Sequence, residues 1–158
     1  GTAYHRVMEC LNYSKAGSTE DIKNEIDRMV REEKLSLKQA ECIKLKDIDT
    51  FAGSSIGERI KSAYAYGTVK REQPFVFEYD RQLVQGVIDL YFIEDGQLVI
   101  VDYKTDRVLR GRAGEDELRR RYSIQLDYYA MALSQITGLK VKEKVIYSFA
   151  LGRSLTVE

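Results

Sequence analysis

Hydrophobic positions along the chain first change their period near residue 67. Up to about residue 66 they recur at helical spacing. Thr2 is placed to cap a short helix running through His5 and Met8 to Leu11, and Ser18 precedes Ile22, Ile26, Met29 and Val30. Ser36 with Gln39 three residues on has the form of a capping box, and a fourth helix is expected over residues 49–66, closed by Gly67. From residue 68 the spacing shortens. Segments 68–79, 83–94 and 97–104 are rich in Val, Ile, Phe and Tyr and predict three strands. Between the last two lies Asp95-Gly96, a strong hairpin signal. Ile88, Leu90 and Phe92 on one face, and Val87, Tyr91 and Ile93 on the other, predict strands covered on both sides. A loop over 105–114, a helix over 115–137 closed by Gly138, and a strand over 141–151 complete the pattern. The class is α/β: a mixed sheet with helices, preceded by a helical region at residues 1–67, all within one domain of 158 residues.

The hairpin carries the first chemical signal, because its register follows from its turn. If Asp95-Gly96 are the two turn residues, Glu94 pairs with Gln97, and counting back sets Asp89 opposite Asp102. Two like charges facing each other on one side of a sheet destabilise it, and burial among apolar neighbours makes both carboxylates costlier. A hard divalent cation between them relieves that repulsion. Lys104, two residues beyond Asp102, projects from the same face, where an ammonium can orient a water or stabilise charge developing on a phosphate. An Asp102–Lys104 structural ion pair is the plainer alternative, but one lysine does not neutralise two buried carboxylates.

Composition narrows the field without choosing a partner. Lys plus Arg equals Asp plus Glu at 25 each, so any nucleic-acid surface must be local. Residues 104–121 hold seven Lys or Arg against four acids, a basic excess beside the two aspartates that suits sequence-independent phosphate contacts. Cys10 and Cys42 have no CxxC spacing, which excludes a cysteine-rich metal or disulfide scaffold and suits a reducing cytoplasm. No Gly-x-x-x-x-Gly-Lys-Ser/Thr stretch is present, so this chain alone is not an ATP-driven motor. The opening Gly1-Thr2-Ala3-Tyr4-His5 already has a helical pattern, as expected of a piece excised from a longer protein.

Four features taken in order resemble one family. Gly1-Thr2-x-x-His5, Gly86-Val87-Ile88-Asp89, Asp102-Tyr103-Lys104-Thr105 and Gln125-x-x-x-Tyr129 are similar to the motifs of the PD-(D/E)xK nuclease superfamily. Within it they resemble the RecB-type nuclease domain, and more narrowly the C-terminal domain of AddA-type helicase–nuclease subunits. The resemblance implies a restriction-endonuclease-like fold and magnesium-dependent hydrolysis of DNA, with manganese as a substitute. It implies His5, Asp89, Asp102 and the backbone carbonyl of Tyr103 as metal ligands, with Lys104 as the catalytic lysine. Gln125 and Tyr129 are implied to bind the scissile region or to hold Lys104 and the attacking water. Arg107, Arg110, Arg112 and Tyr122 are expected DNA contacts, and Glu72 is a weaker candidate beside the site. The expected partners are DNA, single-stranded at the site, and an AddB-type subunit in the full-length protein, with no membrane. ATP is needed only by a motor lying outside this chain. The setting is double-strand break repair by recombination in the bacterial cytoplasm. A stand-alone phage-type exonuclease and a non-catalytic DNA-binding scaffold are the alternatives, and a metal-dependent rise in melting temperature discriminates against the scaffold.

Overall fold

All 158 residues are described in the computed structural model, where they form two compact units, Gly1–Gly67 and Thr68–Glu158. The first is helical: α1 (Thr2–Cys10), a short 3-10 turn (Tyr13–Lys15), α2 (Thr19–Arg31), α3 (Leu37–Glu41), α4 (Leu45–Gly53) and α5 (Ser55–Ala65). Ser18 caps α2 through Asp21 N at 3.1 Å, and Ser36 and Gln39 form the reciprocal capping box expected of them. Two expectations fail here. Thr2 lies inside α1, whose cap position is Gly1, with no side-chain cap. The single helix expected over 49–66 is two, because Ser54 is extended (φ −73°, ψ 164°) and its Oγ caps α5 through Gly57 N at 3.1 Å. The helices meet so tightly that a Cβ on Gly57 would lie 2.1 Å from the Phe51 carbonyl oxygen. Ile48, Phe51, Ile56 and Ile60 are buried on both sides of the break, so a near-continuous apolar stripe conceals it from periodicity.

The second unit is built on β1 (Val69–Tyr79), β2 (Gln82–Glu94), β3 (Gln97–Lys104), α6 (Arg112–Thr137), β4 (Val141–Ser148) and β5 (Arg153–Val157). The five strands lie in sequence order, with β3 and β4 parallel and the other pairs antiparallel. The chain thus has the expected restriction-endonuclease-like α/β class. The stretch expected as one strand over 141–151 is a hairpin whose turn ends at Gly152 (φ 66°). Helix α6 begins three residues earlier than expected and ends at Gly138 in the left-handed conformation, φ 72°. It lays Leu118, Leu126, Tyr129, Ala132 and Leu133 against Ile100, Ile146, Leu155 and Val157 of the sheet. The 105–111 loop folds back onto its first turn, where a Cβ on Gly114 would sit 1.7 Å from the Leu109 carbonyl oxygen. No helix is long and apolar enough to cross a membrane.

The register of the β2–β3 hairpin is the one counted from its turn: Glu94 pairs with Gln97 and the ladder runs to Leu90–Val101. There it stops. Beyond that point β2 pairs only with β1, and β3 continues beside β4 through Lys104–Ser148. The two strands part at the positions of Asp89 and Asp102. On β1 the residue opposite Asp89 is Glu72, held at φ +49°, a left-handed conformation rare for a residue with a side chain. Ile88 and Tyr91, three apart and so on opposite faces of a regular strand, both pack in the cluster under α6. The β1–β2 ribbon therefore twists at this point. The expectation that both faces of β2 are covered fails there: Val87 is 46% exposed.

Candidate active site

Where β2 leaves β3, a backbone donor loses its ladder partner, and the Asp89 side chain takes it over. In a continued ladder the amide of Tyr103 would bond a β2 carbonyl; here it donates to Asp89 Oδ2 at 2.8 Å. Asp102, next to it on β3, is 2% exposed. Its Oδ2 is buried and accepts no well-aligned hydrogen bond; its short contact is an ion pair with Lys104 Nζ at 3.0 Å. The plain ion pair foreseen from the spacing therefore forms. Burial raises the Asp102 pKa to about 7, the negative charge of Asp89 adds to the rise, and Lys104 opposes both.

Lys104 is also approached from α6. Gln125 Oε1 accepts from its Nζ at 3.2 Å, and the ammonium lies 3.9 Å from the centroid of the Tyr122 ring. Gln125 thus meets the lysine, one of the two roles anticipated for it. Tyr129, one turn further, is 6% exposed and packs edge-on against Phe75 with ring centroids 5.4 Å apart. Its hydroxyl pKa is raised, first by burial and then by the charges of Asp102, Asp89 and Glu72, while a hydrogen bond with Gln125 lowers it. Gly86 makes room for this packing, since a Cβ there would come within 3.0 Å of the Phe75 ring.

Tyr122, named among the expected DNA contacts, stands on α6 beside Lys104. Its hydroxyl donates to Asp106 Oδ2 at 2.5 Å, and Arg121 pairs with the same oxygen at 3.1 Å. Burial and the bond to Asp106 raise the Tyr122 pKa to about 12. Asp106 was not singled out in the sequence, although Asp102, Lys104 and Asp106 repeat at the strand's period of two.

The arginines divide into two groups. Arg119, Arg120 and Arg121 are tied to Asp116 or Glu117, while Arg112 reaches Asp116 only at 3.8 Å. Arg107 and Arg110 are exposed on the loop. Arg107, Arg120 and Arg121 line a groove of about 670 Å³ between that loop and the start of α6. His5 stands on α1 in the helical unit, with Nδ1 2.9 Å from the Gly1 carbonyl oxygen.

Four motifs in chain order, two carboxylates at the parting of β2 and β3, and a lysine two residues on now stand together with an independent finding. The family model of the PD-(D/E)XK nuclease superfamily matches residues 1–155. The chain belongs to that superfamily. It is 36% identical over 165 residues to an ATP-dependent helicase/nuclease subunit from Clostridium novyi, which covers 94% of this chain. Against the protein of the same name in Thermoanaerobacter sp. it is 41% identical over 170 residues, covering 98%. A third, from Clostridium botulinum, is 34% identical across the whole chain. The chain spans 13% of the length of each of these relatives.

The site's donor chemistry fits the divalent cation of such nucleases. No three His, Cys, Asp or Glu side chains are gathered as a ready-made cage. Magnesium, however, binds through one or two carboxylates, with substrate phosphates and water completing its shell. Asp89 and the buried, under-bonded Oδ2 of Asp102 supply such a pair.

Proposed function

We propose that this chain is a magnesium-dependent deoxyribonuclease domain, with manganese able to substitute, hydrolysing DNA phosphodiester bonds where β2 and β3 part. The observation that carries the reading is the buried Asp102, whose ionised form burial and the neighbouring Asp89 disfavour and which Lys104 meets at 3.0 Å. Asp89, Asp102, His5 and the Tyr103 carbonyl are assigned to the metal. The bound cation would activate water and draw charge from the scissile phosphate. The remaining work falls to the chain's own groups. Lys104 orients the attacking water and stabilises negative charge developing on the phosphate oxygens. Gln125 steadies Lys104 through its 3.2 Å contact, and the buried Tyr129, one turn further along α6, holds Gln125 by a hydrogen bond. Arg107, Arg110 and Arg112 contact phosphates without reading sequence.

The relatives are named as helicase/nuclease subunits, which supports placing the chain in a larger AddA-type enzyme of the bacterial cytoplasm. There an ATP-driven motor outside this chain feeds single-stranded DNA to the site, an AddB-type subunit completes the complex, and the product serves recombinational repair of double-strand breaks. The test is degradation of end-labelled single-stranded DNA in magnesium, with EDTA and Asp102→Ala controls. Cleavage lost in both controls supports the reading. No cleavage, together with no rise in melting temperature on adding magnesium or manganese, refutes it in favour of a scaffold.

A further inference from the structure

Lys104 is held by three groups of different character: the Asp102 carboxylate at 3.0 Å, the Gln125 amide oxygen at 3.2 Å, and the Tyr122 ring at 3.9 Å. A lysine side chain is a flexible four-carbon stem, so its ammonium points one way only when its contacts agree. Of the three, Asp102 is the one a cation would compete for. Gln125 and Tyr122 are neutral and have no such second claim, and at positions i and i+3 they share one face of α6. The Tyr122 ring is itself fixed. Its hydroxyl is bonded to Asp106 at 2.5 Å, Asp106 is paired with Arg121, and Asp106 follows Lys104 by two residues in the chain. Lys104, Asp106 and Tyr122 thus close a small ring of backbone, hydrogen bond and cation–π contact.

We propose that Tyr122 is a positioning residue for Lys104, its ring anchored by Asp106 so that the ammonium stays aimed into the opening between β2 and β3. The inference rests on the nuclease reading for its consequence in catalysis, but not for its geometry. It gives Tyr122 a part other than the DNA contact expected of it, because the ammonium already sits on the ring.

Two measurements on the 158-residue chain test it. In protein carrying 13C-labelled lysine, the ε-methylene signal lost in Lys104→Arg is the Lys104 signal. It should lie upfield of the other lysines because of the Tyr122 ring current. Tyr122→Leu should return it to the common position, whereas Tyr122→Phe and Asp106→Asn, each of which weakens the bond between hydroxyl and carboxylate, should both reduce the shift without abolishing it. An unshifted signal in the parent chain overturns the proposal, and a shift unaltered by Asp106→Asn overturns the anchoring role. In the DNA cleavage assay, Tyr122→Leu should lower kcat about tenfold, the size of a partly desolvated cation–π contact, with KM within about twofold. Tyr122→Phe, which keeps the ring but loses its anchor, should recover only part of that loss. A raised KM with kcat unchanged would make Tyr122 a substrate contact instead. If the parent chain neither cleaves DNA nor gains melting temperature in magnesium or manganese, the nuclease reading fails, while the lysine signal still decides whether Tyr122 holds Lys104.

Discussion

Removing the charge of Asp102 should change how the metal-free protein responds to pH. The carboxyl titrates near 3.8 unfolded and near 7 in the fold, where burial and then Asp89 disfavour its ionised form. Between those values the folded state binds the proton that the unfolded state has released, so stability falls as pH rises and levels off above about 7. The full span is worth about 4 kcal/mol at roughly 1.4 kcal/mol per pH unit, and about 3 kcal/mol of it lies between pH 5 and pH 8. For a chain of this length that is a drop in melting temperature of about 6–12 °C. Because Asp89 and Asp102 interact, this proton belongs to the pair rather than to one residue.

The assay is thermal melting in EDTA at half-unit steps from pH 5 to pH 8, for the parent chain and for Asp102→Asn. The amide carries no charge at either end, so the variant should lack this slope and melt above the parent at pH 8. Magnesium at pH 8 should restore much of the parent's loss, since a cation that requires ionised carboxylates binds only the folded site. Parent and variant curves of equal slope would refute the reasoning, because Asp102 would then be solvated or already neutralised in the fold.

Three further substitutions probe elements away from that pair. Gly114→Ala drives a methyl into the Leu109 carbonyl oxygen and should cost about 2–3 kcal/mol in urea unfolding, by lifting the 105–111 loop off α6. Ser54→Ala removes the cap of α5 and should cost about 1 kcal/mol, read as a lower urea midpoint at unchanged slope. Arg28→Ala leaves Glu25, 3% exposed, without the two guanidinium bonds of 2.9 Å that hold it, and should cost about 3 kcal/mol. Burial opposes ionisation of Glu25, yet the bonds from Arg28 and from Asn12 N win and lower its pKa. Its stabilisation is therefore full above the unfolded value and lost as pH falls through the folded one; Arg28→Ala should flatten this acid limb of the melting curve.

The hairpin register was legible because it depends on one turn. Asp95 and Gly96 both adopt positive φ, as a two-residue hairpin turn of this kind requires, and every pair from Glu94–Gln97 to Leu90–Val101 follows. The next pair was not legible. The parting of β2 from β3 depends on each finding a different neighbour, β1 for one and β4 for the other, and pairing between distant segments leaves no mark in local periodicity. The twist at Glu72 was hidden for a related reason: nothing local calls for a left-handed glutamate in the middle of a strand. The β4–β5 hairpin was missed because Phe149 and Leu151 extend the apolar pattern through the turn, and only Gly152 interrupts it. At the site, spacing alone brought Asp89, Asp102 and Lys104 together. The partners on α6 needed the resemblance to be noticed, and Asp106 escaped both.

The parting of the strands is also what makes the carboxylate pair tenable. In a closed ladder Asp89 and Asp102 would face each other as a non-hydrogen-bonded pair, the closer kind, with like charges on one face of the sheet. Opening the ladder frees the Tyr103 amide, and that amide gives Asp89 a hydrogen bond at 2.8 Å that a closed ladder would have used. One carboxylate is thereby held by the backbone. The other stays buried, raised in pKa and short of donors. A protein without a use for that group could relieve the strain by substituting Asn or Leu at position 102; a site that must admit a cation and then a phosphate needs the unsatisfied oxygen left in place. Local frustration of this kind, in a sheet whose neighbouring residues Leu98–Val101 are fully buried and regular, is what the proposed metal site would require at position 102.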